Sequence, residues 1–221
     1  MILMKVSVII PAYNSEKFIG RSIRSILNQN LPQHEYEIII INDNSNDRTP
    51  YAIEMFSDQV NVLTNTENQG LASSLNRGIN ASKGEFIIRL DSDDYVNSNY
   101  LSILSYFLEV NPEYEAVKCD YYKVNDEEII LQRCNSVEQP IGCGIMFRRD
   151  VLFELELYDQ DLRMNEEVDL SIRFDERNYK MGHIKLPLYR YRQHDQNMTK
   201  NANMKKHFDS LVKQKQRKRE I

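Results

Sequence analysis

The chain has 221 residues, 41% of them hydrophobic and 28% charged, which is enough for one full globular domain with a sizeable core. The net charge is −5, and residues 204–221 carry seven Lys or Arg against two acids (+5), so the preceding body carries −10. This acidic body argues against a nucleic-acid-binding protein, and no apolar run approaches the ~20 residues that span a bilayer.

The cysteines and the first residues favour a cytoplasmic location. Cys119, Cys134 and Cys143 are odd in number and lack metal-ligand spacing, so we expect reduced, structural thiols, with a Cys119–Cys143 bridge as the less favoured alternative. The opening MILMKVSVIIPAYN has no basic region and no small-residue cleavage site, so it predicts a first strand instead of a signal peptide.

The first half of the chain alternates strands with helices. Buried β-branched runs predict strands, and apolar residues at helical spacing predict helices. The strands are expected at 5–10, 36–41, 60–64 and 85–90, and the helices at 16–29, 48–56 and 71–81. Asp47 is the candidate N-cap of the second helix. Such alternation predicts right-handed βαβ units and an α/β fold with a mostly parallel, doubly wound sheet.

The second half has a mixed pattern. It predicts a helix at 99–110, two strands around a turn within 114–131, a strand running into a helix within 142–152, a helix at 165–179 and a strand with an exit loop at 183–194. Without a repeat or a low-complexity linker, both halves should share one sheet. We therefore expect a single domain at 1–203, with a nucleotide-binding half at 1–97, an acceptor-binding half at 98–203, and a basic tail at 204–221.

Polar residues follow three of the predicted strands: PAYN after the first, NDNSND after the second and DSDD after the fourth. In an open α/β sheet, ligands bind at the carboxyl ends of the strands. Acids and amides are also ordinary turn formers, so one such loop would mean little. Three loops at one sheet edge predict a binding site.

The acids Asp91, Asp93 and Asp94 lie within four residues. Two carboxylates ~5 Å apart repel by roughly 3 kcal/mol at an effective dielectric of ~20. The sequence has neither a glycine-rich dinucleotide fingerprint after the first strand nor a Walker loop, so a bound diphosphate would need a cation. Asp91 and Asp93 face the same way on an extended chain, and their oxygens suit Mg²⁺ or Mn²⁺.

Four segments carry a family resemblance: VSVIIPAYN at 6–14, IIINDNSNDRT at 39–49, NQGLASSLNRGINASKGEFIIRLDSDD at 68–94 and NEEVDLSIRF at 165–174. Together they resemble a family 2 glycosyltransferase of GT-A fold, over residues 4–199. The resemblance implies a Rossmann-like sheet flanked by helices and an inverting transfer of a sugar from a nucleotide-sugar donor, with uridine the preferred base. It also implies a glycan or lipid-linked acceptor in bacterial surface polysaccharide or glycoconjugate synthesis.

The resemblance assigns roles to particular residues. The residues expected to bind the nucleotide sugar are Pro11, Ala12, Tyr13, Asn14, Glu16, Asp43, Asn68, Gly70, Asp91 and Ser92. Those expected to bind the metal are Asp93, Asp91, Asp94 and His194. Tyr13 would lie along the base and Asp43 would bind it. The alternatives are a surface turn for Tyr13, a helix cap for Asp43 and a solvated side chain for His194.

The helix NEEVDLSIRF would supply the general base. The resemblance selects Glu167, and Glu166 and Asp169 are the alternatives, although acids at a helix start also favour the helix dipole without any catalytic role. Glu167 stands where an aspartate is common, Asn42 where an acid is common, and Asn44 where a glycine is common. Asparagine tolerates the left-handed conformation, so the turn should survive. The missing Q-x-x-R-W motif argues against a processive synthase.

Two other functions and one tail hypothesis remain open. A sugar nucleotidyltransferase would share the frame, but PAYNSEKF lacks the glycines that it needs. A non-catalytic nucleotide-sugar-binding protein is the third possibility. In the tail, Met204, Phe208, Leu211 and Val212 form an apolar stripe flanked by Lys205, Lys206, Lys213 and Lys215. This pattern predicts peripheral contact with an anionic membrane, and a solvated, frayed terminus is the alternative.

Overall fold

The computed structural model describes residues 4–194, 208, 210–212 and 214–217. Its elements, in chain order, are β1 (Val6–Ala12), α1 (Ile19–Leu27), β2 (Tyr36–Asn42), α2 (Thr49–Glu54), β3 (Asn61–Thr64), α3 (Leu71–Ala81), β4 (Phe86–Arg89), β5 (Tyr95–Val96), α4 (Tyr100–Val110), β6 (Ala116–Val124), β7 (Ile130–Cys134), β8 (Ile145–Arg148), α5 (Arg149–Glu154), α6 (Glu166–Glu176) and β9 (Met181–Arg192). A short 3₁₀ helix at Gln33–Glu35 precedes β2.

The strands form one mixed sheet in the order β3-β2-β1-β4-β8-β6-β9-β5, and β7 pairs with β6. The first four strands along this order, β3, β2, β1 and β4, are parallel. Beyond them, β8 runs antiparallel to both β4 and β6, while β6 and β9 are parallel. The prediction of a mixed second half that shares the sheet of the first is therefore confirmed.

The sheet is covered on both faces. Val8 and Ile10 of β1 belong to the apolar cluster under α1, α2 and α4, whereas Ile9 belongs to the cluster under α3, α5 and α6. A strand buried on both faces needs a nearly continuous apolar run, and VSVII is apolar except for Ser7, whose hydroxyl donates to the Glu37 carboxylate at 2.7 Å. In β4, Ile87 points to the α3–α6 face, and the alternation of a strand places Arg89 on that same face.

Some helix starts differ from the predicted ones. The first helix begins at Ile19, because residues 16–18 form a turn in which the Glu16 carboxylate accepts a hydrogen bond from the Arg48 backbone N–H, 2.8 Å away. Arg48 occupies the N-cap position of α2, but the Asp47 carboxylate accepts the Thr49 backbone N–H at 2.9 Å. Asp47 therefore caps the first turn of α2 from the position before the N-cap, and not from the N-cap position that was expected.

The three cysteines are free and buried, so the prediction of reduced, structural thiols is confirmed. No helix in the described part of the chain is both long enough and apolar enough to cross a membrane.

The described part of the tail packs on the protein. Phe208 and Val212 are buried in a small cluster with Leu162 and Met164. The Lys215 ammonium lies 2.6 Å from a carboxylate oxygen of Asp159 and 2.9 Å from one of Asp161. Phe208 and Val212 are thus not solvated, so the alternative of a solvated, frayed terminus is wrong for these two side chains, while membrane contact through the tail stays a prediction. Of the residues in the predicted pattern, Met204, Lys205, Lys206 and Lys213 lie outside the described residues.

Candidate active site at the carboxyl edge of the sheet

The loops after β1 and β2 are joined by hydrogen bonds. The Asn14 N–H donates to the Ser45 hydroxyl at 3.1 Å, and the Asn14 side-chain carbonyl accepts the Asn46 N–H at 2.9 Å. Asn14 and Asn44 both adopt the left-handed conformation, with φ of 50° and 58°. The expectation that Asn44 can replace a glycine in this turn is confirmed. Asn14 and Glu16, both predicted to bind the donor, are thus used in holding the two loops together.

The residues at the end of β1 and just after it differ in the solvent exposure of their side chains. The Ala12 side chain is buried, and its backbone carbonyl accepts the Asp43 N–H at 2.9 Å, while Pro11 is half-buried. The Tyr13 side chain is 49% exposed at the sheet edge. An exposed aromatic ring at this edge offers a flat surface for a base, and Ala12 can offer only backbone atoms.

Asp43 organises the loop that leads into α3. Its buried carboxylate accepts hydrogen bonds from the Asn65 side chain at 2.7 Å and from the backbone N–H groups of Gln69 at 2.9 Å and Gly70 at 2.8 Å. Gly70 has a φ of 89°, a conformation that favours glycine. The structure therefore brings Asp43, Asn68 and Gly70 together, and Asp43 fastens this loop instead of capping α2.

Asp91 pairs with Arg89, the last residue of the strand that precedes it. The Arg89 guanidinium lies 2.5 Å and 3.1 Å from the two carboxylate oxygens of Asp91, and 3.2 Å from an oxygen of Glu166 in α6. Burial alone would lower the pKa of Arg89, but the charges of Asp91 and Glu166 raise it well above its usual value. Arg89 thus links Asp91, which follows β4, to the first residue of α6. Next to Asp91, the Ser92 hydroxyl lies 2.7 Å from that of Ser15.

Asp93 and His194 form a pair at the rim of the site. A carboxylate oxygen of Asp93 lies 2.8 Å from His194 Nε2, and the Phe18 ring stacks on the imidazole with a centroid separation of 5.1 Å. Arg192 fixes the neighbouring backbone, because its Nε donates to the Asp93 carbonyl at 2.9 Å. One carboxylate and one imidazole, both predicted as metal ligands, therefore meet here.

Asp94 is held inside the protein. Its carboxylate accepts the Tyr189 hydroxyl and the Arg192 N–H, each at 2.7 Å, and burial raises the pKa of Asp94 well above its usual range. Ligand atoms of Asp91, Asp94 and Cys143 lie within 4.8 Å of one another. A buried thiol whose pKa is also raised is a poor partner for Mg²⁺ or Mn²⁺, which prefer oxygen ligands.

The three acids of α6 have different surroundings. Glu166 is buried against Arg89, and burial raises its pKa to about 7. Asp169 is fully buried and lies 2.8 Å from Arg173. Glu167 is half-buried, packs closely on Gly142, and makes no hydrogen bond or ion pair with any residue that the structure describes. Of the three carboxylates, Glu167 is the one left uncommitted.

Sequence reasoning missed Arg89, Arg192 and Tyr189, which hold the acids in place. The available signal was a lone arginine in the apolar run FIIRL, two residues before Asp91 and therefore on the same side of an extended chain. For Arg192 and Tyr189, the signal was a second polar and aromatic run, YRYRQH, that ends at His194.

Comparison with solved structures places the fold among the GT-A glycosyltransferases. Superposition on S. aureus TarS 1-349 in complex with UDP-GlcNAc gives a TM-score of 0.75 at 22% identity, over 90% of this chain and 61% of that one. Superposition on the mannosyltransferase PcManGT from Pyrobaculum calidifontis, in complex with GDP-Man and Mn²⁺, gives a TM-score of 0.72 at 19% identity. It covers 87% of this chain and 58% of that one. The expected α/β fold of GT-A type is confirmed.

The family is defined by sequence. The model for Glycosyl transferase family 2 matches residues 7–167, and the chain belongs to this family. It is 34% identical over 110 residues to the poly(ribitol-phosphate) beta-N-acetylglucosaminyltransferase TarS of Staphylococcus aureus, covering 48% of this chain and 19% of that protein. It is 32% identical over 209 residues to an uncharacterized glycosyltransferase of Rickettsia bellii, covering 88% of this chain and 30% of that protein. The chain thus spans less than a third of the length of these two relatives.

Proposed function

We propose that this chain is a metal-dependent, inverting glycosyltransferase that moves a sugar from a nucleotide diphosphate donor, UDP-linked by preference, to a glycan or lipid-linked acceptor. The observation that carries the proposal is the meeting of Asp93 and His194 at the sheet edge, 2.8 Å apart. Membership of family 2 favours this transfer over the sugar nucleotidyltransferase alternative.

The residues present fit a divalent ion. We assign Asp93 and His194 as its ligands. Hydrogen bonds already occupy both oxygens of Asp91, from Arg89, and both oxygens of Asp94, from Tyr189 and Arg192, so these two acids rank behind Asp93. A carboxylate with an imidazole suits Mn²⁺ better than Mg²⁺, which prefers oxygen ligands and bound water. When bound, the ion supplies positive charge that stabilises the departing diphosphate.

The nucleotide would lie between the loops after β1 and β2. In this arrangement Tyr13 stacks on the base, and the loop that Asp43 fastens supplies Asn68 and Gly70 along its edge. Asn14 and Glu16 act by holding the two loops together, since their polar groups already bond to the β2 loop. Asp91 faces the ribose and sugar, in an orientation fixed by Arg89.

We assign Glu167 as the general base. An acceptor hydroxyl oxygen forms a bond to the anomeric carbon while the bond from that carbon to the diphosphate oxygen breaks. The hydroxyl proton passes to the Glu167 carboxylate, and the diphosphate leaves from the opposite face, which inverts the configuration. Glu166 and Asp169 are paired with Arg89 and Arg173, so Glu167 is the acid free to take this proton.

The acceptor class rests on the relatives. Proteins named as poly(ribitol-phosphate) beta-N-acetylglucosaminyl- and beta-glucosyltransferases are among them, as is the putative glycosyltransferase EpsH of Bacillus subtilis. We propose a similar polymer or lipid-linked acceptor, met on the cytoplasmic side. The apolar side chains of the tail do not support membrane contact, because Phe208 and Val212 are buried against the protein.

A donor screen by thermal denaturation tests the proposal. A donor present at 100 times its dissociation constant adds ~2.7 kcal/mol to the unfolding free energy, which raises the melting temperature by several degrees. A nucleotide sugar should produce this rise with Mn²⁺ and lose it when EDTA replaces the metal. Equal stabilisation with and without EDTA would contradict the metal dependence, and no stabilisation by any nucleotide sugar would contradict the function.

A further inference from the structure

The C-terminal segment, defined here as the described residues among 208–217, covers the loop that leads into α6. This loop, residues 157–165, which we term the approach loop, runs from shortly after α5 to the residue before Glu166. The segment contributes to neither of the two large apolar clusters on the sheet. Its buried apolar partners, Leu162 and Met164, belong to the approach loop, so its effect should centre on that loop.

The contact has an apolar centre. Phe208 and Val212 pack with Leu162 and Met164, and these four side chains are between 1% and 8% exposed. Leu211 and Ile172 pack against the edge of the same cluster. Because Leu162 and Met164 belong to no other apolar cluster of the described chain, their burial depends on this segment.

An ionic contact lies next to the apolar one. Lys215 donates to carboxylate oxygens of Asp159 at 2.6 Å and Asp161 at 2.9 Å. The second oxygen of Asp159 accepts the backbone N–H of Asp161 at 3.0 Å. Lys215 therefore bonds to a side chain that itself fixes the turn of the approach loop.

The approach loop has little regular structure of its own. It contains neither helix nor strand, and Leu157 and Asn165 at its two ends adopt the left-handed conformation, with φ of 62° and 64°. Non-glycine residues hold this conformation only where their surroundings stabilise it. The conformation of the loop therefore depends on what packs against it.

The approach loop connects the two sides of the site. Arg163 lies over Gly70, and its Nη1 is 3.5 Å from the side-chain oxygen of Asn68 in the donor-side loop. Two residues after the loop ends comes Glu167. A shift of this loop would move a cation at the donor loop and the start of the helix that carries the base.

We propose that the C-terminal segment is a positioning element for sugar transfer, in which Phe208, Val212 and Lys215 hold the approach loop so that Arg163 and Glu167 keep their places. This inference rests on the proposed function. The described contacts of Phe208 and Val212 with Leu162 and Met164, and of Lys215 with Asp159 and Asp161, lie in the approach loop, so these side chains act through that loop.

The test combines hydrogen exchange with kinetics in the full chain. Phe208→Ala combined with Val212→Ala should speed amide exchange at Asp161 and Leu162, whose N–H groups bond within the loop to Asp159. Because small misplacements of a catalytic group are costly, kcat should fall by about tenfold or more, with UDP affinity within about threefold. Phe208→Leu, which keeps the apolar contact, should restore most of the rate, and the exposed Gln214→Ala serves as the matched control.

Two outcomes would overturn the proposal. One is unchanged exchange at Asp161 and Leu162 in the double variant, and the other is faster exchange with a wild-type kcat. Amide hydrogen exchange is measured without nucleotide sugar and without acceptor, so its result does not depend on enzymatic activity. Failure of the proposed function would instead appear as a wild-type protein that turns over no nucleotide sugar.

Discussion

The side chains of Asp93 and His194 lie 2.8 Å apart, although the residues are separated by 101 positions in the chain. Asp93 follows β4 and His194 follows β9, and these strands lie apart in the sheet, with β8 and β6 between them. Under the proposed function, this carboxylate and this imidazole, brought together from distant strands at a sheet edge, would be two of the metal ligands.

Removing either member of this pair should weaken donor binding. We predict that Asp93→Asn and His194→Ala each reduce Mn²⁺-dependent UDP affinity by at least about tenfold, since losing a metal ligand or its close partner typically costs 10–100-fold. Isothermal titration of UDP with Mn²⁺ measures this, and Asp126→Asn, an exposed acid on the β6–β7 turn, is the control. Wild-type affinity in both variants would rule out this pair as the metal site.

Substitutions of the three acids of α6 should have different effects on transfer rate and on stability. Glu167→Gln keeps size and hydrogen bonding but cannot accept a proton, so transfer should fall by ~10²–10⁴. Donor affinity should stay nearly unchanged. Asp169→Asn should instead lower stability, because Arg173 would lose its buried partner. Initial rates and urea denaturation of each variant distinguish these effects. If Glu167→Gln transfers normally while Glu166→Gln is inactive, the base is Glu166; if all three variants transfer normally, the base lies elsewhere.

Asp43 should matter for both folding and donor binding. Asp43→Ala leaves the N–H groups of Gln69 and Gly70 and the Asn65 amide without their acceptor. An unsatisfied buried group costs about 1–3 kcal/mol, and of these three groups the Asn65 amide is buried and the two N–H groups are partly buried, so the unfolding free energy should fall by about 2 kcal/mol. UDP affinity should fall as well, because the loop carries Asn68 and Gly70. Urea denaturation with UDP titration tests this prediction, and Asp58→Ala, at an exposed acid, should change neither value.

Glu166 should make stability depend on pH. Burial raises its pKa from 4.5 to about 7 in the folded protein, so the folded state binds the proton more tightly than the unfolded chain. This stabilisation is complete below the unfolded pKa and is lost as the pH rises through the folded pKa. A shift of this size corresponds to about 3 kcal/mol.

The measurement compares wild-type and Glu166→Gln melting temperatures between about pH 4 and pH 8. The wild-type protein should lose stability relative to the variant as the pH rises, because the glutamine does not titrate. Asp175→Asn, at an exposed acid of the same helix, should follow the wild-type curve. Parallel wild-type and Glu166→Gln curves would show that Glu166 keeps an ordinary pKa.

Most of the strands and helices could be predicted because their signals are local, although the two-residue strand β5 was not predicted. The third helix was expected at 71–81, and α3 spans Leu71–Ala81, since its apolar spacing lies in the sequence. The start of α1 could not be predicted, because Glu16 bonds to a loop 32 residues away. That contact exists only once β1 and β2 have paired.

The site was predictable as a set of strand-end acids, but the partner of each acid was not. Asp91, Asp93 and Asp94 are adjacent in sequence, and the structure gives them an arginine, a histidine and a tyrosine respectively. Two of these partners, Tyr189 in β9 and His194 just after it, lie 95 and 101 residues further along the chain than the acids they contact. The partner of the tail could not be predicted either, because an apolar stripe on a helix predicts membrane binding and packing on the protein equally well.

Mass spectrometry of nucleotide-sugar turnover tests the central claim most directly. The purified chain is incubated with a panel of nucleotide sugars, with Mn²⁺ or with EDTA, alongside Asp93→Asn. The account predicts one donor converted to nucleoside diphosphate with free or transferred sugar, in the wild-type protein with Mn²⁺ and in neither of the other two reactions. Nucleoside diphosphate released at an undiminished rate in EDTA or by Asp93→Asn, or a donor that binds with Mn²⁺ and is never turned over with any acceptor supplied, would contradict it.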